Sequence, residues 1–136
     1  MTNSRQKGKA GEREAVRLLR DITGLDVRRK VRQHEGDSDV EGIPGWSIEV
    51  KRDNGLSVDA MWDQAVTQAG DFLEPLLLYR RDRQPWRARW ALIDINGWAE
   101  ASPETWWLWV QSRWLWTQSR VVLRADGEVL SDEVEE

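Results

Sequence analysis

The 136-residue chain contains no cysteine and a single histidine, His34. The first absence excludes a disulfide framework, thiolate metal ligands and a thiol nucleophile. The second excludes a histidine-built metal cluster and leaves His34 as a phosphate contact or a surface residue. No run of about 18 apolar residues occurs, so no membrane span is expected. The opening segment "MTNSRQKGKAGERE" lacks the apolar stretch of a secretory signal. A reducing cytoplasm fits these absences. Internal repeats and low-complexity linkers are also missing.

What is present, 40% apolar and 32% charged residues, is ordinary for one soluble globular domain with a single core. The net charge of −4 argues at first against a polyanionic partner. Its distribution reverses that argument. Residues 1–34 hold ten basic side chains (Arg5, Lys7, Lys9, Arg13, Arg17, Arg20, Arg28, Arg29, Lys30 and Arg32) against four acidic ones, a balance of +6, whereas the closing "ADGEVLSDEVEE" has six carboxylates and no base. Charge segregated in this way suits a polyanion-facing end and a solubilising tail.

Periodicity predicts a helix over "KAGEREAVRLLRDI", with Ala10, Ala15, Val16, Leu18, Leu19 and Ile22 near one stripe and Gly24 stopping it. "LDVRRKVRQ" reads as a strand, "HEGDSDVEGIPG" as turn chemistry and "GWSIEVKRD" as a second strand. A helix capped by Ser57 follows, then the strands "PLLLYRR" and "RWALIDI". Ser102 and Pro103 open a third helix, and two short strand-like runs around Asp126-Gly127 close the chain. This order predicts an α/β protein with a mixed central β-sheet flanked by helices.

In "GWSIEVKRD" the alternation puts Trp46, Ile48 and Val50 on one face and Glu49 and Lys51 on the other. A solvated salt bridge would explain the charged pair, and so would a metal-dependent active site. Asp39 stands ten residues before Glu49, where a returning hairpin brings the two together. Adjacent carboxylates repel unless a cation lies between them. Hard oxygen donors favour Mg2+ or Mn2+, which can activate water against a phosphoryl group. Lys51, two residues along on the same face, can orient that water or stabilise developing charge. Glu12 sits on a basic helix in "KGKAGERE".

Together, "KGKAGERE", "LLRD", "GDSDVEG" and "WSIEVKRD" resemble the PD-(D/E)XK nuclease superfamily, and within it the archaeal-type Holliday junction resolvases and their phage relatives. The resemblance covers roughly residues 5–70. It implies a restriction-endonuclease-like core and a Mg2+-dependent endonuclease making paired nicks in four-way DNA junctions as a homodimer. By the same resemblance Glu12, Asp39 and Glu49 hold the metal, Lys51 serves the water or transition state, and Gln68 (or Gln64) fills the glutamine position of the next helix. Asp37 and Glu41 compete with Asp39, and Glu14 with Glu12. The superfamily's proline is replaced by Ser38. A nuclease of this fold acting on other DNA, and a non-catalytic DNA-binding module, are the rival readings.

Arg5, Lys7, Lys9, Arg13, Arg28, Arg29, Lys30 and Arg32 are the expected phosphate contacts. Eight of the ten tryptophans crowd the second half of the chain. A homodimer interface over 96–130 is the favoured reading of that crowding, ahead of core packing and base stacking. The catalytic core is expected over about 5–95 and an acidic tail over 131–136.

Overall fold

The computed structural model describes residues 4–30, 39–52, 55–92, 96–119, 121–123 and 129–131, with side chains described within 8–30, 39–52, 55–92 and 96–114. Among the described residues are three helices, α1 (Ser4–Thr23), α2 (Val58–Ala69) and α3 (Pro103–Ser119), and eight strands. These are β1 (Arg28–Arg29), β2 (Val40–Glu41), β3 (Trp46–Arg52), β4 (Glu74–Arg80), β5 (Arg87–Leu92), β6 (Gly97–Ala101), β7 (Val121–Leu123) and β8 (Val129–Ser131). The first six form one sheet in chain order, antiparallel everywhere except between β3 and β4. The expected α/β class with a mixed central sheet is therefore what the chain forms. The chain divides into two compact units, residues 1–106 and 107–136.

The single parallel pair dictates the layering. Parallel neighbours need a crossover, and α2 supplies it. Ser57 caps α2 by accepting from the Ala60 N–H at 3.1 Å, and Gly70 ends it at φ 66°. Met61 and Ala65 of α2 pack with Leu77 and Tyr79 of β4 on one face of the sheet. The other face receives α1, whose Ala15, Val16 and Leu19 are buried. Gly11 marks that contact, because a Cβ placed there would stand 2.8 Å from Arg52 Cβ. Only a residue without a side chain lets α1 approach β3 so closely.

Being central, β3 is covered on both faces. Ser47 and Glu49 are as buried as Trp46, Ile48 and Val50, so the half-exposed strand suggested by alternation is an interior one. Trp46 also meets Trp106 of α3 edge-to-face, with ring centroids 5.3 Å apart. Trp106 and Trp90 are buried, so part of the tryptophan crowding is core packing. Trp98 and Trp114 are instead exposed.

Two strands went unpredicted. β2 lies in the segment read as turn chemistry, and β6 in a stretch of glycine, tryptophan and alanine. Each is made by pairing with a neighbour, β2 with β3 and β6 with β5, rather than by local preference. Conversely, only Arg28–Arg29 of "LDVRRKVRQ" is strand among the described residues. In the second unit β7 and β8 pair as the expected antiparallel hairpin.

Candidate active site

The sheet register assembles the site from β2 and β3. Val40 is the Cα partner of Ile48, which brings the preceding Asp39 alongside the 48–50 segment of β3. Asp39 is fastened there by three bonds. Its N–H donates to Ile48 O at 3.2 Å, its carbonyl accepts from Lys30 N at 3.0 Å, and its Oδ2 accepts from Val50 N at 2.9 Å. A carboxylate thus takes the place of a backbone acceptor beside Glu49. Asp39 and Glu49 are each 4% exposed. Of the competitors, Glu41 is exposed and Asp37 lies outside the described residues.

Glu49 and Lys51 project toward the α2 layer. Their register partners on β4 are Leu77 and Tyr79, the two residues that pack against α2, and partners in a ladder share a face. Lys51 is half-buried. On α2, Gln68 follows buried Ala65 by three residues, so it shares the sheet-facing side, and it is half-buried. Gln64 is exposed.

Glu12 is placed differently. It belongs to α1, on the opposite face, and its Oε1 accepts from Arg29 Nε at 3.1 Å. Glu14 accepts from Arg80 at 2.6 Å and from the Trp86 indole at 3.2 Å. Both helix glutamates therefore have cationic partners. Among the described residues, no group of three or more acidic or histidine side chains is arranged to hold a metal. The structure brings Asp39, Glu49 and Lys51 together and leaves Glu12 with Arg29.

A two-carboxylate set still suits a hard cation. Mg2+ keeps several of its waters and is commonly held by one or two carboxylates. Asp39, just before β2, and Glu49, within β3, are buried oxygen donors. The donor chemistry fits Mg2+ or Mn2+.

Of the expected phosphate contacts, Lys9, Arg13 and Arg28 are exposed. Arg28 is paired with Asp26 at 2.8 Å, both well solvated, and Arg29 with Glu12. Lys30 is half-buried. The side chains of Arg5 and Lys7 lie outside the described residues, as do Arg32 and His34.

Sequence reasoning missed a second polar group on the same face. Arg89 is the register partner of Leu77, and Glu100 that of Arg89. Arg89 is buried, donating to Glu100 at 2.9 Å and to Asp59 in the first turn of α2 at 3.2 Å, with its guanidinium 3.6 Å over the Trp98 ring. Tyr79 donates its hydroxyl to the same Glu100 at 2.9 Å. Burial, then the hydrogen bond and charge of Glu100, push the Tyr79 pKa above its ordinary value of 10.0. This network fastens α2 beside Lys51. Its signal was an arginine interrupting the apolar run "RARWAL", the same kind of interruption that singled out Glu49.

The fold and site define a class: a mixed-sheet α/β protein with a buried Asp–Glu pair and an adjacent lysine on its one parallel strand pair. No protein-family model matches the chain, and no curated protein matches it. Among solved structures, it is similar to Archaeoglobus fulgidus Hjc, described as a Holliday junction resolvase from an archaeal hyperthermophile. The identity is 28%, the match covers 60% of this chain and 70% of that one, and the TM-score is 0.44. No described helix is long and apolar enough to cross a membrane.

Proposed function

We propose that the chain is a metal-dependent, structure-selective DNA endonuclease with a restriction-endonuclease-like core, acting as a Holliday junction resolvase. One observation carries this reading. Asp39 is locked onto the β3 backbone by the Val50 N–H, beside buried Glu49, with Lys51 next on the same face. A solvated salt bridge needs neither this burial nor this fastening.

Asp39 and Glu49 would hold Mg2+ or Mn2+, while Glu12 stays with Arg29 on the opposite face. A cation held there would supply polarisation of a phosphoryl oxygen and activation of water. Lys51 orients that water or donates to the phosphoryl oxygen as charge develops. Gln68, on the helix that covers Glu49, lines the same side. Paired nicks across a four-way junction need two sites, which a homodimer supplies. Exposed Leu108 and Trp114 on α3 support such a contact.

The test is cleavage of a labelled four-way junction and of a linear duplex of equal length in Mg2+, by the wild type and by Lys51→Ala. The expected result is junction-selective cutting lost in the variant by at least 100-fold, the order assigned to groups that stabilise transition-state charge. Equal cutting of both substrates makes the chain a nuclease of this fold acting on other DNA. A wild type that binds junctions and cuts nothing with any divalent ion is a binding module. Undiminished cutting by Lys51→Ala removes the site.

A further inference from the structure

We propose that the β4–β5 turn, residues 81–86, forms a wall of the nucleic-acid groove and that Arg83 contacts a backbone phosphate there. The proposal rests on the nuclease reading and adds a surface outside the basic segments at 5–13 and 28–32.

Its position follows from the parallel pair. Arg52 and Arg80 are register partners, so β3 and β4 end together, one residue beyond Lys51 and its partner Tyr79. The connection from β3 to α2 and the β4–β5 turn therefore emerge at the same end of the sheet. They are tied together there, since Arg81 donates to Leu56 O at 2.6 Å. Gln84 N donates to Arg81 O at 3.1 Å, closing the turn, and Arg80 Nε donates to Gln84 O at 2.8 Å. The turn is held in shape before any ligand arrives, which lowers the ordering cost of binding.

Its charge is one-sided. Residues 80–87 contain four arginines and one carboxylate. Asp82 is engaged by Arg52 at 2.6 Å, Arg80 by Glu14 at 2.6 Å and Arg87 by Glu100 at 3.4 Å. Arg83 is exposed and has no ion pair or hydrogen bond among the described residues. It also sits at φ 63°, a left-handed conformation that glycine, asparagine or aspartate takes at less cost. A cation kept where backbone strain favours a smaller residue points to a use for the charge. The guanidinium fork suits phosphate oxygens, and a backbone contact beside the site would set register without reading bases.

The test uses the full chain in EDTA, so that no cutting occurs, with a fluorescent four-way junction and a duplex titrated at several salt concentrations. Arg83→Gly is expected to reduce the slope of log affinity against log salt by about 0.9, one phosphate contact. Arg83→Lys should keep the slope, and the melting temperature of Arg83→Gly should not fall, because glycine relieves the positive φ. An unchanged slope for Arg83→Gly on a wild type that binds DNA overturns the wall and leaves the nuclease reading standing; it would give the arginines to an acidic protein partner or to solvent. A wild type that binds neither DNA overturns both readings.

Discussion

In this structure Asp39 fastens the β3 backbone, and under the proposed function it would also hold a metal ion; two substitutions separate the two. In Asp39→Ala the Val50 N–H, in a buried strand, loses the carboxylate oxygen that accepts it at 2.9 Å. Leaving a buried donor unsatisfied costs about 1–3 kcal/mol. At roughly 4 °C per kcal/mol for a chain of this size, the melting temperature should fall by about 4–12 °C. Asp39→Asn keeps an acceptor of the same shape and loses only the charge-assisted part of the bond, so its fall should stay within about 4 °C. Both should lose Mg2+-dependent cleavage, because alanine offers no ligand and the neutral amide lacks the charge that offsets the cation's dehydration. Thermal denaturation followed by circular dichroism in EDTA reads the first effect. The same scans in Mg2+ read the second, since a bound ion stabilises the wild type by mass action and should stabilise neither variant. Asp39→Ala melting with the wild type would refute the fastening. Asp39→Asn cutting DNA at the wild-type rate would refute the metal role while leaving the fastening intact.

Three further outcomes follow from the packing. Gly11→Ala should destabilise the protein by about 1–3 kcal/mol in urea unfolding, because the new Cβ meets Arg52 Cβ at 2.8 Å and α1 must lift from β3. Tyr79 is the only tyrosine, so tyrosinate absorbance titrates it alone, and the midpoint should lie above 10.0 and drop in Glu100→Gln. The folded state holds that phenolic proton more tightly than the unfolded one. The stability it contributes is therefore complete below pH 10 and lost as pH rises through the folded value, and Tyr79→Phe should flatten that decline.

Several parts of this arrangement were legible in the residues and others were not, for definite reasons. Ser57, Ser102 and Pro103 announced two helix starts because capping is a local bond between neighbours. The Ser57–Ala60 and Ser102–Thr105 bonds are both made. "WSIEVKR" announced a strand by composition, and the carboxylate in its middle singled out Glu49. The two-residue β2 could not be read, since "VE" becomes a strand only by lying against β3. Glu12 matched a motif position on a basic helix, and its neighbour in space, Arg29, comes from a strand 17 residues on. The Tyr79–Glu100–Arg89 group joins three strands, each contributing one residue at a register position that no spacing along the chain reveals.

The sequence by itself determined the α/β class, the helix caps and the central strand, because each is a matter of local propensity. Tertiary structure decided that β3 is interior, and so that Glu49 is buried rather than half-solvated. It decided that Gly11 is a contact point, that Glu12 answers Arg29, and that the arginines of the β4–β5 turn stand at the end of the sheet nearest Lys51. All of these depend on which strands lie side by side and in what direction. Direction was set by one parallel pair, and that pairing is a long-range choice made by the burial of two faces at once.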